Sequence, residues 1–395
     1  MPFYHRLGKI PHKRHTRFCK PDGSLYREQV VGTKGFSGIE SILYHIRQPT
    51  RIKHVETMGP VKIEYAANGA LRHRLFRTRD VPQEGDVVTG RRVLVGNQNV
   101  TMALARPVES MPYHYRNGEA HELLFVHTGE GTLVSQYGRL EFGPGDYLNI
   151  PISTTWRMEL KGQNHRILVF ESPRDFEPPR RYRNEYGQFL EHSPYCERDI
   201  RVPQELETHD KEGEFEVRVK ARGEMHRHIL DHHPLDVVGW DGYLYPYAFN
   251  IADFEPITGR VHQPPPVHQT WEGWDFVICS FVPRMFDYHP LSIPAPYNHA
   301  NVNSDELIYY AEGNFMSRKG VGQFDISLHP GGLPHGPHPG TVEASIGKQR
   351  TEELAVMMDT FHPLQVAAFA LEYEDNSYAY SWIDQDEPPT PTTTG

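Results

Sequence analysis

The fold and the chemistry are both decided by YNHANVNSDELIYYAEGNF (297–315) and ISLHPGGLPHGPHPG (326–340). The first stretch supplies His299, Asn301 and Glu306, the second His335. Alternate residues of a strand share a face, so 299 and 301 aim one way. Glu306 returns to that face after a short turn, and six residues later Gly313 marks the next turn. His335 closes the PGGLPH turn on a neighbouring strand. Asp305 is an alternative carboxylate, but only Glu306 keeps six residues before Gly313. Two imidazoles and one carboxylate suit Fe(II), Mn(II) or Ni(II) and leave open positions on one side of the ion. Zinc sites of the hydrolytic kind leave one open position.

Working outward, the chain has 395 residues with 38% hydrophobic and 11% aromatic content, which predicts a packed fold and not disorder. The formal net charge is -10, and no long Lys/Arg block is present, so nucleic acid is not the expected partner. Three cysteines without a CxxC pair point to a reducing, cytoplasmic setting. The longest apolar runs, such as FVICSFV, are too short to span a bilayer, and the opening residues have no signal-peptide core. Thirty-three prolines disfavour long helices, and short alternating segments between Gly/Pro turns predict an all-β plan.

LLFVHTGEGTLVSQYG (123–138) reads as strand, turn, strand, and FGPGDYLNIP (142–151) as a turn leading into another strand. With Glu122 and Gly129 this resembles a cupin barrel, a jelly-roll double-stranded β-helix. Its histidine positions hold Tyr115, Asn117 and Trp156 instead, which predicts a metal-free barrel. The 297–340 stretch resembles the same pair of cupin motifs with the ligands kept. Two such segments imply a bicupin: an N-terminal β-domain over 1–240, a catalytic barrel over 241–383 and a flexible tail over 384–395. EFEVRVKARG (214–223) alternates and predicts a strand, whereas MHRHILDHH (225–233) reads as loop or surface.

GRVHQPPPVHQT (259–270), YNHANVNSDE (297–306) and SLHPGGLPHGPHPG (327–340), with the opening PFYHRLGKIPHKRHT (2–16), resemble the homogentisate 1,2-dioxygenase family, its bacterial members especially. The resemblance implies Fe(II) on His299, Glu306 and His335. It implies a second active-site histidine at His329 and an acid/base histidine at His268, with His262 competing. A substrate-contacting tyrosine of the family falls on Phe315, and a carboxylate-binding lysine falls near Arg318 and Lys319. The implied substrates are a small aromatic hydroquinone acid, homogentisate, and O2, giving maleylacetoacetate within tyrosine and phenylalanine catabolism. A homo-oligomer, trimer or hexamer, is implied too. Phe315 keeps gentisate or another substituted hydroquinone open as substrate; a metal-dependent isomerase and a non-catalytic bicupin are the further alternatives.

Overall fold

A computed structural model describes residues 3–67, 69–313, 315 and 318–383. The tail expected over 384–395 lies outside them. Strands dominate, and the α-helices among the described residues are two short pieces, Thr341–Ser345 and Ala368–Leu371. This is the all-β plan that the prolines and the period-two patterning predict. Among the described residues no helix is long and apolar enough to cross a membrane.

The chain forms two compact units. The first comprises Met1–Tyr65, Val81–Phe254 and Trp271–Trp274; the second comprises Ala66–Asp80, Glu255–Thr270 and Asp275–Gly395. A single cut at 240/241 does not describe this partition.

In the first unit the long strands His121–Ser135 and Thr155–Ser172 pair antiparallel, from Trp156 opposite Ser135 to Ser172 opposite His121. Asp146–Ile150 pairs with the first of them on one side and with Tyr247–Asn250 on the other. That second pairing draws 241–254 into this unit. Leu124, Val126, Leu148, Trp156, Met158 and Val169 fill the interior, all within 1% of full burial. Each such side chain contributes roughly 1.5–3 kcal/mol on leaving water. Gly129 makes no turn: it lies within the continuous strand His121–Ser135, opposite the register shift between Lys161 and Arg166, with φ 95°, and a Cβ there would meet the His165 ring at 2.2 Å. Only glycine combines that backbone angle with that approach.

The run 225–233 is not a loop. Glu224–His232 is a strand, antiparallel to Glu212–Ala221, with Val217 opposite His228. Met225 to Asp231 are all half-buried, so no alternation of burial marks the strand. His5–Gly8, Val237–Gly242, Glu40–His45 and Arg27–Gly32 form a separate four-stranded sheet, so much of the N-terminal stretch is paired strand.

The second unit is built on antiparallel strands in the order Phe276–Phe281, Leu354–Thr360, Asp305–Glu312, Asp325–His329 and Arg74–Arg77. The last of these lies far away in sequence. It belongs here because Leu75 and Phe76 are fully buried, while Arg74 and Arg77 pair with Glu374 and Asp325 at 2.8 and 2.5 Å. The motif glycine Gly313 again has positive φ, 92°, and a Cβ there would meet the Glu352 carbonyl at 2.2 Å.

Candidate metal centre

His299 and His335 are joined by an isolated antiparallel bridge. Each backbone N–H donates to the other's carbonyl at 2.8 Å. Residues directly opposite in such a pair project their side chains to one face, and the two ring centroids are 4.3 Å apart. Each Nδ1 lies against a carbonyl two residues earlier: Tyr297 at 3.1 Å for His299, Leu333 at 3.3 Å for His335. A carbonyl only accepts, so Nδ1 carries the hydrogen in both rings and Nε2 keeps its lone pair. This is the arrangement by which outer partners orient metal-binding imidazoles.

Glu306 completes the set. Its Oε2 is 3.6 Å from His299 Nε2, and its Oε1 is 3.3 Å from His335 Nε2. The three ligand atoms lie within 4.8 Å of one another. His335 Nε2 is buried without a hydrogen-bond partner. Two imidazole lone pairs and a carboxylate converging on one point repel unless a cation sits between them, so these residues fit a bound metal ion. Burial alone would raise the Glu306 carboxyl, yet the His299, His329 and His335 imidazoles around it hold it well below the usual carboxylate range. Glu306 in turn pushes His299 up.

Glu306 sits in the middle of the sheet, opposite His329 on one neighbour and Asp359 on the other. Asp305 faces the other way, as strand alternation requires. Its carboxylate accepts from the Gly331 and Leu364 N–H groups at 2.7 Å each, fixing the chain turns there. His329 is fully buried, with Nδ1 2.8 Å from Glu306 Oε1 and Nε2 3.0 Å from the Tyr378 hydroxyl. It therefore stands behind the carboxylate. Burial, and next the Glu306 charge, push the Asp359 carboxyl up.

The other residues singled out from sequence are placed as follows. Arg318 donates to the Gly336 carbonyl and lies over the Trp382 ring, with Tyr310, Tyr378 and Glu306 as its electrostatic neighbours. Lys319 is exposed. Phe315 is buried in an apolar cluster with Tyr310 and Ala355, its ring 4.7 Å edge-on from Tyr310. His268 ends a single 3-10 turn, Pro265–His268, with its ring 4.6 Å from Phe281. Burial pushes it well below the usual histidine range. No hydrogen bond or ring contact among the described residues joins it to the triad. His262 is half exposed, with Nδ1 3.3 Å from Asp287 Oδ2 and its ring 5.2 Å from Tyr297. Tyr297 is the residue whose carbonyl orients His299.

Three residues at the centre carry no spacing signal. His73, beside the Arg74–Arg77 strand, sets its ring 5.3 Å from His329 and 5.7 Å from His335, and its Nε2 bonds the Pro334 carbonyl at 3.2 Å. Tyr378 touches His329. Trp382 donates to the Gly336 carbonyl at 3.1 Å. The aromatic density of SYAYSW (377–382) was the one available hint.

In the first unit, Glu122 occupies the corresponding motif position and is met by a guanidinium. Arg91 donates to Glu122 at 2.5 Å and Glu171 at 2.7 Å, and Lys220 reaches Glu171 at 2.6 Å. Tyr115 packs edge-on against Trp156 at 5.4 Å.

A family model described as homogentisate 1,2-dioxygenase N-terminal matches residues 40–251, more than half of the chain. It does not reach the metal centre, whose residues rest on their own geometry. The chain is 43% identical to a provisionally assigned dioxygenase of Saccharolobus solfataricus, covering 97% of this chain and 99% of that one. It is 28% identical to a homogentisate 1,2-dioxygenase of Bradyrhizobium diazoefficiens; that match covers 68% of this chain and 62% of the relative, less than two thirds of its length. A cupin 2 conserved barrel domain protein from Leptotrichia buccalis superposes with a TM-score of 0.32 at 11% identity, covering 77% of this chain and all of that one.

Proposed function

The chain belongs to the homogentisate 1,2-dioxygenase family, and from that premise we propose that it cleaves the ring of a hydroquinone bearing a short acidic side chain, homogentisate first among them. Both atoms of O2 enter the product, maleylacetoacetate. The observation that carries this reading is the convergence of His299, Glu306 and His335 within 4.8 Å.

His299, Glu306 and His335 would hold Fe(II). Bound there, the ion would supply the one-electron chemistry that lets an aromatic ring react with dioxygen. The chain's own residues do the rest. Arg318 neutralises the side-chain carboxylate by charge-assisted hydrogen bonds and so selects an acidic substrate. A histidine takes the proton of the ring hydroxyl remote from the side chain, a task suited to imidazole near neutral pH.

We place that base at His262. Asp287 orients its ring, it is accessible, and Tyr297 links it to His299. His268, the position first expected, is buried against Phe281. The N-terminal barrel is proposed to hold no metal, because Arg91 meets the Glu122 carboxylate there. A homo-oligomer, trimer or hexamer, is carried over from the family resemblance.

A second reading, another hydroquinone acid such as gentisate, is favoured by one observation: Phe315 lacks the hydroxyl of the family's tyrosine. The test is oxygen uptake after anaerobic Fe(II) loading, across homogentisate, gentisate and substituted hydroquinone acids. Rapid uptake with homogentisate supports the first reading. Uptake only with another acid transfers the assignment to it, and no uptake with any refutes ring cleavage.

A further inference from the structure

The metal-binding carboxylate is backed by a buried polar chain. Ionised Glu306 only accepts, so His329 Nδ1, 2.8 Å away, carries the hydrogen. His329 Nε2 is then a lone pair, and the Tyr378 hydroxyl 3.0 Å from it is the donor. The direction is thus fixed along the chain: Tyr378 gives to His329 and His329 gives to Glu306, and such linked hydrogen bonds polarise one another.

We propose that Tyr378 is a positioning residue of the metal centre: its hydroxyl fixes the His329 tautomer, which aims Nδ1–H at Glu306 and holds that carboxylate turned toward the ion. The inference deepens the metal-centre reading of 299, 306 and 335 and rests on it. It assigns a role to the segment just before 384, far in sequence from any ligand. Tyr378 is 3% exposed, and Trp382 beside it packs at 5.2 Å and bonds Gly336, next to the ligand His335. The segment thus backs two ligand-bearing stretches together.

The test measures binding of Co(II) to the full chain, by competition with a chelator and by its visible spectrum, without substrate. Tyr378→Phe keeps the ring and removes the hydroxyl; it should weaken Co(II) about tenfold, at the lower end of losses from outer partners, and alter the visible bands. The second arm is His329→Asn, whose side-chain amide offers Glu306 a donor and has no tautomer to fix. In that background Tyr378→Phe should weaken Co(II) no further. Unchanged affinity and spectrum in Tyr378→Phe overturn the proposal. So does an equal loss in both backgrounds, which marks plain packing. If His329→Asn does not fold, the Tyr378→Phe spectrum decides alone. His335→Ala is the control for the underlying reading. If it binds Co(II) as tightly as the unaltered chain, the metal lies elsewhere, and the metal-centre reading falls together with this inference.

Discussion

His299 and His335 face each other across one antiparallel bridge, each giving its N–H to the other's carbonyl at 2.8 Å, with their rings 4.3 Å apart. The two loops that carry them lie in no long ladder. This bridge sets the spacing of the imidazoles, while Glu306 arrives from a regular sheet strand. The centre therefore combines one donor on a stiff element with two donors locked to each other.

Removal of any one donor should abolish tight metal binding. His335→Ala and Glu306→Ala should each lower bound iron, measured after anaerobic loading and desalting, by two orders of magnitude or more, since outer partners alone are worth about 10–100-fold. Loss of turnover should follow the loss of iron. Full turnover in either variant refutes the assignment.

The base is a separate question, because neither candidate is a ligand. His262→Gln should keep iron and lower kcat about 10²–10⁴-fold, the usual range for a missing general base. His268→Phe should do less, because that ring already lies in an apolar contact with Phe281. The opposite ranking moves the role to His268.

Arg318 and Lys319 differ in burial, and this predicts different outcomes. Arg318→Met should raise KM for an acidic hydroquinone far more than for its ester or amide, because it removes a charge-assisted contact worth roughly 1.5–3 kcal/mol. Lys319→Met, at an exposed position, should change KM less than twofold. Steady-state kinetics on the acid and its amide separate the two.

Much of this centre was legible because strand alternation and Gly/Pro turns are local properties. The spacing from His299 to Glu306, Gly313 and His335 reports which residues share a face, and the second unit brings them together. Glu306 was preferred to Asp305 because only it keeps six residues before Gly313. What was not legible depends on pairing between distant segments. His73 reaches the centre only because Arg74–Arg77 joins the sheet beside Asp325–His329. Tyr378 reaches His329 only because the chain returns after the last long strand. The histidines of 225–233 misled in the opposite way: their polarity suggested a loop, whereas they sit on a strand that is half-buried on both faces.

The Arg91 cluster predicts a stability effect in the first unit. Arg91→Met leaves Glu122 and Glu171 close together without the guanidinium that joined them. Breaking a buried pair by removing one partner costs on the order of 3–5 kcal/mol. Adding Glu122→Gln should recover part of that loss, because the remaining amide needs no counter-charge. Urea unfolding of the single and double variants measures both. A double variant less stable than Arg91→Met shows that Glu122 is not the group Arg91 compensates.

A second group of histidines in the first unit predicts acid sensitivity. His233 lies 3.9 Å from His209 and 5.2 Å from His114, ring to ring. Burial, then His233, Arg157 and His209, push His114 down to about 3; burial, then His209, Arg157 and Lys211, push His233 down to about 4, with Glu207 opposing. Unfolded, both rings titrate near 6.5. Above that pH neither binds protons in either state, and their neutral packing has its full effect. Below it the unfolded chain takes up protons that the fold refuses, so stability falls as pH falls, first toward about 4 and for His114 on toward about 3. Each ring adds a slope of up to about 1.4 kcal/mol per pH unit, less for His233 because its ring is less completely enclosed. His114→Gln should lower the slope of unfolding free energy between pH 6 and pH 4.5 by roughly that amount, while the slope above pH 7 stays unchanged. An unaltered slope in that window would show that His114 is protonated in the fold, and that the three rings share a charge instead of excluding it.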